Sequence, residues 1–336
     1  MKRLVLPIIF IFILIAALLF GFLWWKENSK APSTNSEVND FLIVKGSAAS
    51  DVANRLFKEG YIKNPLAFKL YIQFKGMQSK IQAGAYLISR SYTLQETINQ
   101  LSKGPTELWV TIPEGLRREE IVEKFIKGLN PLDVDSFRVD FLESSKGMEG
   151  YLFPDTYLFP KTVTGAAVAK KMRNTFDTLV TPQMKSDSEK LGIKLDEIVT
   201  MASIIERETN SGDERPIVAG ILYKRIKSRW PLQVDATLEY GLSNTRCITS
   251  QGTDKNCKWW QPVTHNDLTN NNSLYNTYKH QGLPPTPIAN PGLVAIKAAI
   301  HPKDSPYWYY LHGQDGIIHY AVTVQEHNQN INKYLN

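Results

Sequence analysis

The sequence predicts an α+β protein behind an N-terminal transmembrane helix, with a small βααβ module followed by a larger mixed α/β domain. Three observations predict it. The 22 residues from Leu4 to Trp25 carry no charge. A strand, two helices and a strand then follow in order between Phe41 and Leu87. The rest of the chain mixes helical and strand patterns without an internal repeat or low-complexity tract.

At ~1.5 Å per residue the uncharged run would cross the roughly 30 Å hydrocarbon core of a bilayer. A cleaved signal peptide would have a shorter apolar region and a small-residue cleavage site. This run ends instead in Trp24 and Trp25, whose indoles suit a membrane–water interface, and no Cys follows that could carry a lipid. An uncleaved anchor over residues 4–25 is expected, with residues 1–3 before it. Lys2 and Arg3 before the run are matched by Lys26 and Lys30 after it, so charge alone leaves the orientation open. Nearly all of the chain lies on one side.

Asn28 to Asn39 is rich in Ser, Asn, Pro and Ala and has no apolar period, so residues 26–40 are expected to be a flexible tether. From Phe41 a short strand, FLIVKG, precedes SAASDVANRLFKEG, which places Val52, Leu56 and Phe57 on one helical face. NPLAFKLYIQF reads as a second helix and AGAYLI as a strand. TLQETINQLSKG reads as a further helix stopped by Gly104. The module therefore spans 41–105, and 106–336 form the larger domain. Near the end, YWYYLHGQDGIIHYAV reads as a hairpin turning at Asp315 and Gly316, and TVQE at 323–326 has capping-box spacing before a last helix.

With 43% apolar and 21% charged residues the composition is globular, and the formal charge of +6 suits anionic neighbours without choosing among them. No zinc-finger spacing, no RNP-type segment and no block of Lys and Arg supports nucleic-acid binding. Cys247 and Cys257, the only cysteines, flank the polar stretch ITSQGTDKN, which reads as a surface loop. In an exported protein the pair is expected to be a disulfide; a metal site would need two more ligands, and His265 is the only His nearby.

The most informative helix is LDEIVTMASIIERETN, from Leu195. At 100° per residue, Leu195, Val199, Ala202 and Thr209 fall within about 80° of arc; Glu206 lies inside that arc and Glu208 lies opposite. An inward, desolvated Glu has its pKa raised, which suits proton donation near neutral pH. On periodicity alone, a buried ion pair with Lys224 or Arg225 is the stronger reading. The company of Glu206 shifts the balance. EGYLFPDTYLFP combines Tyr151, Phe153, Tyr157 and Phe159 with Asp155, and YNTYKHQGLPPTPIANPG places Tyr275, Asn276 and Tyr278 before a proline-stiffened loop. Aromatic faces beside amides and carboxylates suit a sugar-binding groove, although each aromatic taken singly is more simply core.

The segments VTIPEG, EGYLFPDTY, ASIIERET, LQVDATLEYG and YNTYKHQGLPPTPIANPG, in this order behind an anchor, resemble the YceG-like (MltG) endolytic murein transglycosylases, from about Phe41 to the C-terminus. The resemblance implies that Glu206 is the catalytic residue and that 41–105 are a LysM-like module. It further implies a lytic transglycosylase of bacterial peptidoglycan. Glu206 would protonate the leaving oxygen of the β-1,4 bond between N-acetylmuramic acid and N-acetylglucosamine. It would then take the proton of the sugar's 6-hydroxyl, leaving a 1,6-anhydro end without metal or other cofactor. Gln233, Asp235, Asn276 and Tyr278, with Tyr151 and Asp155, are the residues expected to hold sugar. The expected location is the cytoplasmic (inner) membrane, single-pass, with residues 1–3 cytoplasmic and the catalytic domain on the periplasmic side. The expected partners are glycan strands, the membrane and peptidoglycan synthases, and cleavage would end nascent strands during wall synthesis.

The sequence departs from the commoner pattern between Gly241 and Tyr275, in a longer connection holding both cysteines, Trp259 and Trp260. Two rivals remain. A muramidase-type hydrolase would need Asp235 as nucleophile at about 5 Å from Glu206, or at about 6.5–9.5 Å to activate water. A non-catalytic glycan-binding scaffold of the wall-synthesis machinery would not need Glu206 at all.

Overall fold

The computed structural model describes residues 2–249, 252–253 and 257–335. It forms two compact units, Met1–Val110 with Tyr157–Thr162, and Thr111–Thr156 with Val163–Asn336.

The smaller unit starts with α1 (Lys2–Asn28), whose stretch Phe10–Asn28 is long and apolar enough to cross a membrane. The large apolar side chains from Phe10 to Leu23 are more than half exposed. There follow β1 (Val38–Ile43), α2 (Ala49–Lys58), α3 (Pro65–Phe74), β2 (Gly84–Ser89), α4 (Leu94–Ser102) and β3 (Glu107–Thr111). A fourth strand, β4 (Thr156–Pro160), returns from later in the chain, and the sheet order is β1-β2-β3-β4. β1 and β2 are antiparallel, with Val38 opposite Ser89 and Ile43 opposite Gly84. Phe41, Leu56, Phe68, Ile72, Tyr86 and Ile88 form the core against this sheet. Asn64 starts α3 by accepting from the amides of Leu66 and Ala67.

Three expectations change here. Phe57 is 51% exposed, because Val52, Ala53 and Leu56 form the core-facing arc of α2 and Phe57 lies one residue further round. The stretch read as a free tether is tied down: Leu94 N–H donates to Ser29 O, Ser33 N–H to Arg90 O, and Ser89 Oγ to Asn35 O. Finally, Tyr157 and Phe159 are buried on β4, so half of the aromatic segment expected beside Glu206 is core of the smaller unit.

The larger unit contains α5 (Arg118–Leu129), α6 (Val134–Ser144), α7 (Gly165–Leu179), α8 (Pro182–Lys190), α9 (Leu195–Glu208), α10 (Arg215–Lys227) and α11 (Asp235–Cys247). After the short pair β5 (Ile248–Thr249) and β6 (Gly252–Thr253) come α12 (His265–Asn270), α13 (Leu293–Ile300), β7 (Tyr309–His312), β8 (Ile318–Ala321) and α14 (Val324–Tyr334). β7 and β8 pair antiparallel from Tyr309–Ala321 to His312–Ile318, with Gly316 at φ +75° in the turn. Thr323 and Glu326 form the capping box of α14.

α9 is the central helix, packed by α8, α10, α11 and α13. Every residue from Ile198 to Ile205 is buried, so this helix has an apolar girth and not a single apolar arc. Phe153 joins its core. Cys247 and Cys257 are bonded, with Cα atoms 5.5 Å apart. Of the polar stretch between them, residues 250–251 and 254–256 lie outside the described residues, and the surface-loop reading goes with them.

Candidate active site

Glu206 lies in the last turn of α9, and its side chain is 6% exposed. One carboxylate oxygen, Oε1, is 2.5 Å from Arg215 Nη2, and the other, Oε2, accepts the Gly292 amide proton at 3.0 Å. Arg215 opens α10, and its Nε also donates to Thr209 Oγ1 just past the end of α9. Burial pushes the Glu206 carboxyl up, and the neighbouring Glu114 adds to the rise; the Gly292 amide and the Arg215 guanidinium oppose it. The ion-pair partner is thus Arg215, at the near end of α10, and not Lys224 or Arg225, which face Ser305, Trp308 and Leu232 carbonyls.

Glu114 is the site residue that sequence reading missed. It lies in the turn between β3 and α5, 44% exposed, and its Oε2 is 3.5 Å from the same Arg215 Nη2. The two carboxylates therefore lie within about 6 Å of each other by the geometry of the shared nitrogen. Glycines make this approach possible. A Cβ on Gly292 would meet Glu114 Oε1 at 1.7 Å, and Gly115 takes φ +76°, a conformation that favours glycine.

Asn290 clasps the three segments that build this corner. Its backbone accepts from Gly115 and donates to Leu116; its side chain accepts from the Leu152 amide and donates to Leu116 O and to Glu149 Oε1 at 2.7 Å. Glu149 is buried, also accepts from the Arg118 amide, and is pushed well up by burial and by Glu119. VTIPEG with the following Leu116, EGYLF and IANPG are therefore joined through Asn290, by its backbone and its carboxamide together. A buried Asn with every donor and acceptor used is the physical meaning of that spacing.

The residues expected to hold sugar are not all brought to Glu206. Tyr151 donates to Asp196, in the first turn of α9, and lines a cavity of about 560 Å³ with Arg118, Glu149, Arg173 and Tyr240, ten residues along the helix from the carboxylate. Asp155 is exposed; its side chain accepts from the Thr156 amide and its backbone carbonyl from the Ile112 amide. Asn276 is buried and spends its amide on Leu268 O, Asn271 O and the Tyr278 amide, so it has nothing left for a ligand. Tyr278 donates to Asp235 Oδ1 at 2.6 Å, and the exposed Gln233, at φ +54°, donates its amide to Thr277 O. Asp235 acts electrostatically on Glu208 and Glu239. The carboxylate beside Glu206 is Glu114, not Asp235.

Glu208 does not face water as its helical angle predicted. The hairpin covers that side of α9: Tyr310 donates to Glu208 Oε2 at 2.8 Å, and burial, with Asp235 and Glu239 nearby, pushes Glu208 up to about 7. Between the two acids, Arg207 stacks 3.8 Å from the Trp260 ring, and Trp260 Nε1 donates to Glu120. Arg117 is held between Tyr240 and Trp259 at 4.1 and 4.2 Å. The long connection thus folds its two indoles onto two arginines of the larger unit, with Cys257 bonded just before them. Among the described residues, no group of three or more His, Cys, Asp or Glu side chains is arranged to hold a metal ion.

A protein of Bacillus subtilis named endolytic murein transglycosylase is 31% identical over 95% of this chain and 90% of its own length. One of the same name from Streptococcus pneumoniae is 26% identical over 98% of this chain, which spans 64% of that longer protein. The crystal structure of a YceG-like protein from Listeria monocytogenes superposes with a TM-score of 0.55 at 26% identity, over 88% of this chain and 99% of that one. The YceG-like family model matches residues 41–333, and the chain belongs to that family.

Proposed function

We propose that this chain is an endolytic murein transglycosylase anchored in the cytoplasmic membrane, and that Glu206 is its acid and base. The observation that carries the reading is the setting of Glu206: nearly buried, raised in pKa, yet held by an amide and a guanidinium that stabilise its ionised form. Such a carboxyl can give up a proton and take one back within a single turnover.

In this reading the neutral Glu206 donates to the oxygen leaving C1 of N-acetylmuramic acid as the C1–O4 bond breaks. Positive charge grows on the ring, and the Glu206 carboxylate, steadied by Gly292 and Arg215, lies beside it. The sugar's O6 then bonds to C1 and its proton returns to Glu206, so no water is consumed and the acid is restored. Glu114 is a positioning residue that shares Arg215 and keeps Glu206 from ionising early. The neighbouring Arg207 guanidinium, stacked on Trp260, would offer polar and aromatic surface to the glycan next to the acid.

α1 is the single-pass anchor, the module over 41–105 is a LysM-like glycan holder, and the catalytic unit lies outside the cytoplasm, where it would cut nascent strands beside the synthases that extend them. A retaining hydrolase is the second reading, favoured by the closeness of Glu114 to Glu206, since a second carboxylate at about 5 Å can serve as nucleophile. Mass spectrometry of purified glycan strands digested with the full-length protein separates the two: anhydro ends support the transglycosylase, and reducing ends support the hydrolase.

A further inference from the structure

The face of α3 turned away from its core is apolar where an exposed helix is ordinarily polar. Ala67, Phe68 and Ile72 are buried, while Leu66, Leu70 and Phe74, spaced four residues apart along the opposite side, are 50%, 45% and 86% exposed. Scattered exposed apolar residues need no explanation, but three in one stripe do. Exposed Lys69 lies on α3 and exposed Lys75 caps its end, and the Lys75 ammonium lies over the Phe74 ring.

The position of α3 identifies what covers it. Tyr71, one turn before Phe74, stacks on Trp25 with ring centroids 5.8 Å apart. Lys63, at the foot of α3, donates to Glu27 Oε1 at 2.8 Å. The helix is thus fastened at two points to the last turn of α1, where the uncharged run gives way to Lys26 and Glu27. Trp25 suits the membrane–water interface and its ring lies 5.8 Å from that of Tyr71, so a membrane that surrounds α1 as far as Trp25 has its headgroup layer beside α3.

We propose that the Leu66–Leu70–Phe74 face of α3 lies on the bilayer that holds α1, with the three side chains in the headgroup–acyl boundary and Lys69 and Lys75 on anionic headgroups. This rests on the reading of α1 as a membrane anchor. The arrangement is that of an interfacial amphipathic helix: an apolar stripe immersed by about 5–10 Å and a basic rim that an anionic surface attracts. Paired with the ordered 29–37 segment, it would hold the smaller unit against the membrane at a fixed height, where a free tether would let it roam.

The test is collision-accessibility spin labelling of the full-length protein in vesicles containing phosphatidylglycerol, with single labels at Phe20→Cys, Phe74→Cys and Leu132→Cys and the native disulfide left intact. Leu132 is fully exposed and serves as the aqueous reference. The proposal expects the label at 20 in hydrocarbon and the label at 74 roughly fivefold less accessible to a water-soluble nickel chelate than the label at 132. A label at 74 as accessible as that at 132, with the label at 20 still in hydrocarbon, overturns the proposal and spares the anchor. Water access at position 20 refutes the anchor and the proposal with it. Spin–spin broadening between labels at 74 would put a second copy of the chain on the stripe and also overturn the proposal.

Discussion

Nη2 of Arg215 stands 2.5 Å from Oε1 of Glu206, so the acid proposed to give up a proton is bound to a permanent cation. That contact favours the ionised carboxylate. Burial and the carboxylate of Glu114, 3.5 Å from the same nitrogen, pull the other way. The outcome is a raised pKa, and in the proposed mechanism it would set the working range: activity should be present while Glu206 is protonated and be lost as pH rises through its pKa.

Glu114→Gln should therefore move the alkaline limb of the kcat/KM profile to lower pH, because removing a like charge makes Glu206 a stronger acid. Above neutral pH the variant should lose activity by about tenfold, with a smaller deficit in acid, and Glu114→Asp should recover part of the shift. A uniform loss at every pH would assign Glu114 a purely structural role.

Asn290→Ala should be among the most damaging changes outside the acid itself. It removes three side-chain hydrogen bonds and leaves the buried Glu149 without one of its donors, for a loss of about 3 kcal/mol or more in a denaturant titration. A variant of wild-type stability would mean that the clasp does not hold the three segments.

These two residues mark what was legible in the sequence and what was not. Glu206 could be found because its helix is long and its neighbours form motifs. Glu114 could not, since a turn has no period to show which way a side chain points; the clue was the glycine after it, whose positive φ brings the turn against the acid. Glu208 was misjudged because periodicity assumes one wet face, and the face in question is covered by a hairpin more than a hundred residues later. For the same reason Asn276 looked like a ligand contact: burial against elements not adjacent in the pattern has no local signature. In the smaller unit the order of β1, α2, α3 and β2 has short-range patterns to read, whereas β3 and the returning β4 join its sheet from outside the 41–105 segment.

Glu208→Gln provides a stability test with a definite sign. Glu208 is pushed up to about 7 in the folded protein, against about 4.5 when unfolded, so its contribution is present below about pH 4.5 and is lost as pH rises through 7. The amide can still accept from Tyr310 and does not ionise. From pH 5 to pH 8 the thermal midpoint of the variant should therefore gain on the wild type, on the order of 3 °C. A constant difference across that range would contradict the burial of this acid, and glycan cleavage should fall much less than in Glu206→Gln.

The Cys247–Cys257 bond should exist in the mature protein, so thiol labelling of the denatured, unreduced chain should find no free cysteine. Replacing both with Ser should preserve the fold and cost ~2–3 kcal/mol, the value for closing so short a loop. Because Trp259 and Trp260 come two and three residues after Cys257, their fluorescence should report any loosening over Arg117 and Arg207. Two labelled thiols would remove the crosslink from the account.

The most direct test of the central claim is mass spectrometry of glycan strands incubated with the full-length protein and with Glu206→Gln, a nearly isosteric change that removes the titratable proton. The account predicts muramic acid ends lighter than hydrolytic ends by about 18 Da with the wild type, and a loss of about a hundred- to ten-thousandfold in their rate of formation in the variant, which still folds and binds glycan. Undiminished cleavage by Glu206→Gln would contradict it.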